Sequence, residues 1–298
     1  MDLDLWSIRP LWLTAVAALW GAATGLLVPR AAYRFAVRPD EAWRDRCPRG
    51  HAITGAAGGW LGLARCATCA YSVRTALSAS GDTSLPAPGD AGRETSDDAR
   101  PPYGYDYGYG YGYGHGYRYG PGALLTALTT ALVCAGLALA TGARPELAVW
   151  LLLAPLGVLL AAVDFRVQRL PDVLTLPLAG LALALLGAVA VVPEHAGEWS
   201  TALFGSLALG GAYFLLFLIN PHGMGFGDVK LALGLGAVLG WYGWGTVVLG
   251  TFAGFLFGGL YGLGLVLARR AGRKTSIPFG PFLIAGAYVG LLIGAYAA

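Results

Sequence analysis

The sequence predicts an all-α, polytopic membrane protein with about eight transmembrane helices and a small cysteine-bearing cytoplasmic insert. Hydrophobic residues fill 56% of its 298 positions and charged residues only 12%, whereas soluble domains carry roughly 25% charged residues. The charges are also segregated, since 20 fall within residues 29–122 and only 14 within the longer stretch 123–298. This composition excludes an ordinary soluble enzyme. The nearly balanced net charge of +3 excludes a protein that binds nucleic acid by neutralising phosphates.

Eight apolar runs account for the predicted helices. Most are about 17–20 residues long or slightly longer, which is the length needed to cross a hydrocarbon core of about 30 Å. The run at 229–243 is short and rich in glycine, so we expect a shallow or partly irregular span there. The runs cover residues 11–28, 123–140, 147–163, 173–192, 201–219, 229–243, 245–268 and 279–297.

The distribution of basic residues predicts the orientation of these helices. If the first helix runs from outside to inside, 18 of the 20 basic residues lie on the cytoplasmic side and only Arg9 and Arg144 lie outside. Both termini then face outward, and Glu146, Glu194 and Glu198 fall in outer loops. The first helix is flanked by acids and lacks a small-residue cleavage site, which favours a signal anchor over a cleaved signal peptide.

Four segments follow from these patterns. Residues 1–28 form the first transmembrane helix, 29–75 a cytoplasmic insert, 76–122 a disordered Tyr/Gly-rich linker, and 123–298 the membrane block. Eight of the 15 tyrosines alternate with glycine near the end of the linker, and glycine at nearly every other position disfavours a strand. The composition favours a flexible linker over an aromatic contact site for another protein.

The insert carries a candidate metal site. Cys66 and Cys69 form a C-x-x-C pair, and Cys47 with His51 lies about 15–20 residues upstream, a spacing that could close a tetrahedral zinc shell of three cysteines and one histidine. The alternative is a set of reduced cytosolic thiols without a metal. The residues alone leave both interpretations open.

Three carboxylates mark the cytoplasmic ends of predicted helices: Asp164, Asp172 and Asp228. Acids at a membrane edge are costly, which makes a functional role the first hypothesis. Asp172 has a structural alternative, because it occupies the predicted N-cap of the next helix. Asp164 instead closes an apolar run, where the helix dipole disfavours its charge. Asp228 follows three glycines, which allow backbone paths with positive φ and the close approach of another segment.

Asp164 and Asp228 together suggest a chemistry. Two adjacent carboxylates cannot both ionise cheaply, so one holds a proton while the other activates water. This arrangement hydrolyses peptide bonds without a metal or a covalent intermediate. Both loops lie on the cytoplasmic side in the predicted topology, and the sequence contains neither a G-x-S-x-G serine motif nor an H-E-x-x-H zinc motif.

These residues resemble the type IV prepilin peptidases, membrane aspartic peptidases of the GxGD class. The resemblance rests on Asp164, on the segment Leu170 to Pro177, on Gly225-Phe226-Gly227-Asp228-Val229-Lys230 and on Ile277-Pro278-Phe279-Gly280-Pro281. It implies that Asp164 and Asp228 are the catalytic pair and that Gly225, Gly227, Lys230 and Asp172 support the site or bind substrate. Two roles are open for Lys230. It could attract an acidic residue of the substrate near the cleaved bond, or its side chain could extend to the membrane surface without contacting substrate.

The resemblance further implies the substrate and the location. Prepilins or pseudopilins are cut on the cytoplasmic side of the bacterial inner membrane after a short basic leader, with no cofactor for proteolysis. Many members also methylate the new N-terminus with S-adenosylmethionine, using the cysteine-bearing loop. This chain departs from the family there, since Gly50 stands where a second cysteine is expected. Methyltransferase activity and the oligomeric state stay open.

Three other functions compete with this interpretation. A presenilin-like or signal-peptide-peptidase-like enzyme would usually have tyrosine before the first aspartate, where this chain has Val163. A proton-coupled transporter would be favoured by an inverted repeat with broken helices, and none is visible in the sequence. A noncatalytic assembly protein of a pilus or secretion machine would use the Tyr/Gly tract as its contact.

Overall fold

The computed structural model describes residues 5–38, 41–70, 118–221, 224–268 and 277–298. The secondary structure of these residues is helical apart from two isolated β-bridges, so the predicted all-α fold is confirmed. A short helical turn, Ala56–Gly59, lies in the insert. The main helices are α1 (Leu5–Gly25), α2 (Val28–Phe35), α3 (Ala123–Thr141), α4 (Glu146–Val167), α5 (Asp172–Val189), α6 (Trp199–Ile219), α7 (Phe226–Gly240), α8 (Trp244–Leu267) and α9 (Gly280–Ala297).

Most of these helices are built to cross a membrane. Within the described ranges, α3, α4, α5, α6, α8 and α9 are each long and apolar enough for a span. Residues 11–25 of α1 and the following α2 pass the same test as a pair that is bent by 41°. Each of the eight predicted apolar runs coincides with a helix. A multi-pass membrane fold is therefore confirmed.

Helix α7 is short, as the sequence predicts, but its backbone is not irregular. It is a regular helix of 15 residues, so it extends about 22 Å and is shorter than a hydrocarbon core of about 30 Å. Most of its residues are buried, and it contacts α5, α6, α8 and α9. The glycines that suggested irregular backbone allow close helix packing instead. A Cβ atom on Gly240 would lie only 2.5 Å from the carbonyl oxygen of Thr201 on α6.

Glycines also close the contact between α8 and α9. A Cβ atom on Gly286 would collide with the backbone of Gly250 and Gly254, and one on Gly290 would lie 2.8 Å from the Cα atom of Gly250. The backbones of the two helices therefore touch along this seam. In a bilayer, where lipid is as apolar as leucine, such close van der Waals contact is a principal source of helix association.

The two ends of the bundle have different chemistry. At one end, Arg144 donates a hydrogen bond to the carbonyl oxygen of Ala295, at 3.0 Å, which joins the α3–α4 turn to the last turn of α9. At the other end, Arg169 donates to the carbonyl oxygen of Arg38, at 2.7 Å. This second contact ties the α4–α5 turn to the segment that leads into the insert. The insert therefore shares its end of the bundle with Asp164 and Asp172.

The α8–α9 seam yields a stability prediction. Gly286→Ala should lower the melting temperature of the purified protein in detergent, corresponding to a loss of about 1–3 kcal/mol, because the added methyl group overlaps backbone that cannot move aside. Gly259→Ala is the matched control, since a Cβ atom on that α8 glycine meets nothing within 4 Å. Equal melting temperatures for the two variants would contradict the packing described here.

Candidate functional site

Asp164 and Asp228 lie at the same end of the bundle. Asp164 belongs to the last turn of α4, and its carbonyl oxygen accepts a hydrogen bond from the backbone N–H of Gln168, which ends the helix in a left-handed conformation. Asp228 belongs to the first turn of α7. The residues are only 4% and 7% exposed, respectively. Both lie near Leu170, which is next to Gly280, the hydrogen-bond donor to Asp164, and next to Gly227, which precedes Asp228. The fold thus brings together two acids that are distant in the sequence.

The surroundings of the two carboxylates are not equivalent. The carboxyl end of α4 disfavours negative charge on Asp164, as predicted, whereas the amino end of α7 favours it on Asp228. Asp164 is compensated by a backbone hydrogen bond, because the N–H of Gly280 donates to its Oδ2 atom at 3.1 Å. The two acids therefore differ in how their surroundings favour or disfavour negative charge.

Gly280 and Leu170 complete the immediate surroundings of the pair. Gly280 is the first residue of α9, and a Cβ atom there would lie 2.8 Å from Oδ2 of Asp164. Leu170 is buried and lies beside both the Gly280 and the Gly227 backbone. Neither residue was singled out as a site residue from the sequence. Gly280 could have been, because it lies in the segment Ile277 to Pro281 that carries part of the family resemblance.

Gly225 and Gly227 allow close packing rather than an unusual backbone. Gly225 precedes α7 with φ −74°, and Gly227 lies inside the helix. Positive φ, which the glycines were expected to permit, is therefore not used at these two positions. A Cβ atom on Gly227 would lie 3.0 Å from Cβ of Leu170, so the expected close approach of another segment does occur. The backbone N–H of Asp228 donates to the carbonyl oxygen of Gly225, at 3.0 Å.

Asp172 is not an N-cap, contrary to the sequence prediction. It is the first residue of α5, Pro171 holds the capping position, and no side chain caps the helix. The Asp172 carboxylate instead forms an ion pair with Lys230, with 2.7 Å between Oδ1 and Nζ. The Lys230 ammonium also lies 4.8 Å from the centre of the Phe226 ring. Lys230 therefore links α5 to α7 two residues beyond Asp228.

The prediction that Glu146 lies in an outer loop is wrong. It is the first residue of α4 and is fully buried. Its Oε1 atom accepts a hydrogen bond from the Tyr242 hydroxyl at 3.3 Å and lies 4.0 Å from the Arg144 guanidinium. This polar cluster is at the opposite end of α4 from Asp164. It joins the start of α4 to the end of α7 and does not take part in the candidate site.

The four predicted metal ligands form one cluster. The three thiol sulfurs and one ring nitrogen of Cys47, His51, Cys66 and Cys69 all lie within 4.8 Å of one another, so these side chains could hold a metal ion. The Cys47 and Cys69 sulfurs are 3.8 Å apart, and His51 Nδ1 lies 3.6, 3.8 and 3.1 Å from the sulfurs of Cys47, Cys66 and Cys69. Zinc bonds of about 2.3 Å to sulfur and about 2.0 Å to nitrogen place tetrahedral ligands about 3.6–3.8 Å apart.

The local backbone explains why His51 can join the cluster. Gly50 has φ +83° and donates its N–H to the carbonyl oxygen of Cys47, while the N–H of Cys47 donates to the carbonyl oxygen of His51. This tight turn folds His51 back onto Cys47. Gly50 supplies the left-handed residue that the turn requires.

The thiols differ in their readiness to ionise. Burial and hydrogen bonds to the thiols of Cys66 and Cys47 raise the pKa of Cys69 to about 12. Burial also opposes a charged Cys66, but hydrogen bonds from the backbone and thiol of Cys69 outweigh it and lower the pKa of Cys66. A metal ion bound by all three sulfurs must displace the proton of Cys69.

Two arginines of α2 attach the insert to the membrane helices. Arg30 donates hydrogen bonds to the carbonyl oxygens of Thr54, Leu61 and Leu63. Arg34 donates to the carbonyl oxygen of Gly58 at 2.8 Å, and its guanidinium lies 3.9 Å from the centre of the Trp60 ring. The same helix packs against α4. Helix α2 therefore stands between the metal-ligand cluster and the helix that carries Asp164.

The insert extends beyond its predicted boundary. Arg118 forms a β-bridge with Arg65, and Tyr119 is buried against the Tyr33 ring with 4.7 Å between ring centres. Residues 118–122, which were assigned to the linker, are thus ordered against the insert. The rest of the predicted disordered Tyr/Gly-rich linker, residues 76–117, lies outside the described residues.

Comparisons with known proteins agree with the resemblance drawn from the sequence. Residues 147–263 match the type IV leader peptidase family. The prepilin leader peptidase/N-methyltransferase of Aeromonas salmonicida is 35% identical over 175 residues, which cover 57% of this chain and 56% of the relative. The protein of the same name from Pseudomonas aeruginosa is 35% identical over 143 residues, 45% of this chain and 46% of the relative.

The match is limited in extent. The chain spans about half the length of the curated relatives that it matches, and no solved structure gives a significant match. The matched segment 147–263 contains both aspartates and the ion pair between Asp172 and Lys230, whereas Gly280 and the metal-ligand cluster lie outside it.

The ion pair between Asp172 and Lys230 can be tested by a double-mutant cycle. Asp172→Asn, Lys230→Met and the double variant should give a coupling of about 0.2–1 kcal/mol in thermal unfolding, because Asp172 is largely exposed and water screens its charge. Additive effects of the two substitutions would contradict the pairing.

Proposed function

We propose that this protein, whose residues 147–263 match the type IV leader peptidase family, is an aspartic endopeptidase. It removes the leader peptide of type IV prepilins or pseudopilins at the cytoplasmic face of the bacterial inner membrane. The observation that carries this proposal is that two buried acids, Asp164 and Asp228, lie at the same end of the bundle with Leu170 near both. The names of the relatives supply the class of substrate.

The chemistry follows from a carboxylate pair that holds one proton. The ionised carboxylate takes a proton from a water molecule, and the water oxygen bonds to the carbonyl carbon of the substrate. The protonated carboxyl group stabilises the developing oxyanion and gives its proton to the leaving nitrogen as the carbon–nitrogen bond breaks. Burial of both acids keeps the pair in a medium where these charges interact strongly.

The neighbouring residues support the pair without contributing chemistry of their own. The N–H of Gly280 orients Asp164, and Gly225 and Gly227 bring the start of α7 against Leu170. Lys230 holds Asp172 and thereby fixes α7 near Asp228. An acidic residue of the substrate would have to compete with Asp172 for Lys230. We therefore propose that Lys230 mainly supports the site through Asp172, and that contact with the substrate is a secondary role.

The carboxylates can be tested directly. Asp164→Asn and Asp228→Asn keep the size of each side chain but remove its titrating group, so each should reduce cleavage of a purified prepilin by several orders of magnitude. Glu194→Gln is the matched control, because it changes an exposed acid in the loop between α5 and α6, away from the pair and its supporting residues. Cleavage that survives either change in the pair would overturn the dyad.

We propose zinc as the metal of the insert, held by Cys47, His51, Cys66 and Cys69. The ligand types and separations suit a closed tetrahedral site, which would support the fold rather than the hydrolysis.

The relatives are also named N-methyltransferases. Incubation with labelled S-adenosylmethionine and a cleaved prepilin tests whether this chain, with histidine in its ligand set, retains that second activity.

Zinc binding has a distinct signature. One zinc ion should bind per chain and its affinity should rise with pH, since the proton on Cys69 must leave. His51→Ala should weaken binding, and His51→Cys, which restores a four-sulfur set, should retain it. The measurement is the zinc content per chain of the wild-type protein and of each variant, purified from membranes. Unchanged metal content in His51→Ala would exclude the histidine as a ligand.

A further inference from the structure

A polar cluster lies at the end of the bundle opposite the two acids. Four residues form this far-end cluster: Arg144, Glu146, Trp150 and Tyr242. Glu146 is fully buried, and the hydrolytic chemistry proposed above does not use it. An acid inside an apolar helical bundle is costly, so its presence there indicates a role.

The far-end cluster joins the three helices that meet at the candidate site. Glu146 begins α4, and its Oε1 atom accepts a hydrogen bond at 3.3 Å from the hydroxyl of Tyr242, which follows α7. The same hydroxyl accepts a hydrogen bond from Nε1 of Trp150 on α4, at 3.4 Å. Arg144 donates to the carbonyl oxygen of Ala295 in the last turn of α9. At their other ends, these helices supply the two acids and the backbone donor of the site.

The two helices that carry the acids depend on contacts at their ends. Within the described ranges, α4 and α7 each pack against α9, but they do not pack closely against each other. Both line an apolar cavity of about 390 Å³. Close-packed interiors resist displacement, so a void between two helices leaves their relative position to the contacts at their ends. Tyr242 supplies such a contact, because its N–H donates to the carbonyl oxygen of Leu239 and its hydroxyl bonds to α4.

We propose that the far-end cluster positions the catalytic pair by fixing α4, α7 and α9 against one another. The inference rests on the proposed function, to which it adds positioning residues outside the site. Helices α4 and α7 are continuous over 22 and 15 residues, so they extend about 33 Å and about 22 Å. A tilt or shift at the far end therefore also displaces the acid at the other end. A displacement of about 1 Å can reduce catalysis about a hundredfold.

The alternative is a cluster that only stabilises the fold. A purely structural contact affects the melting temperature but leaves the turnover of the folded molecules unchanged. Trp199 supplies the matched control, because its Nε1 donates to the carbonyl oxygen of Leu183, at 3.0 Å. This hydrogen bond joins α6 to α5, and neither of these helices carries an acid of the pair.

Kinetics of variants test the inference. Tyr242→Phe removes the hydroxyl and keeps the ring, whereas Glu146→Leu removes the acceptor. Each should lower the kcat for a purified prepilin about tenfold or more with little change in KM, because the cluster is remote from the substrate. The double variant should lower kcat no further, since both single changes break the same hydrogen bond. Glu146→Gln, whose amide oxygen can still accept from Tyr242, should retain most of the wild-type kcat.

The control variant separates positioning from stability. Trp199→Phe should leave kcat unchanged, and all rates are measured below the melting temperature of every variant. Wild-type kcat values in both Tyr242→Phe and Glu146→Leu would overturn the inference. Independent, multiplying losses in the double variant would also contradict it.

A distance measurement tests the inference without cleavage. Spin-labelled amino acids at Phe165 and Phe226, two exposed residues beside Asp164 and in the first turn of α7, report the separation of the acid-bearing helix ends. Glu146→Leu should shift or broaden this distance, and Trp199→Phe should not. If the distance changes but Asp164→Asn still cleaves, the dyad fails while the positioning of the helices stands. An unchanged distance in Glu146→Leu would refute the positioning role and leave the dyad intact.

Discussion

The arrangement of the helices depends on the cost of placing two carboxyl groups next to each other in a medium that solvates charge poorly. Asp164 and Asp228 come from the end of one helix and the start of another, and both are buried. The backbone N–H of Gly280 reduces this cost by donating a hydrogen bond to Asp164. Three separate segments must therefore converge at one end of the bundle, and the small residues beside them make that convergence sterically feasible.

Glycine has a consistent role in this protein, which is to shorten distances between helices. Helix α7 is short and nearly enclosed by its neighbours, so its first turn can place Asp228 in the interior. Its glycines allow α6 to approach backbone to backbone, and the α8–α9 seam is formed in the same way. In a membrane this close contact replaces the hydrophobic effect as the force that holds the bundle together.

Much of this architecture could be predicted from the sequence, because hydrophobic length and charge are local properties. Eight apolar runs gave eight helices, and the acids were identified from their unusual positions. The misassignments concern tertiary contacts. Gly280 lies 116 residues from its partner Asp164, and Glu146 was placed in a loop because its partner Tyr242 is also remote in sequence. The local sequence predicts a cap at Asp172, because an ion pair with Lys230 leaves no trace in either local pattern.

Trp60 connects the insert to the helix that carries Asp164. Its indole packs against the apolar cluster that includes Val163, the residue before Asp164, and lies under the Arg34 guanidinium. The insert therefore covers part of the helix that carries Asp164, in addition to positioning the three cysteines. A homologue without the insert would expose this stretch of α4 to water. It would need a bulky side chain from another segment to keep the equivalent of Asp164 buried.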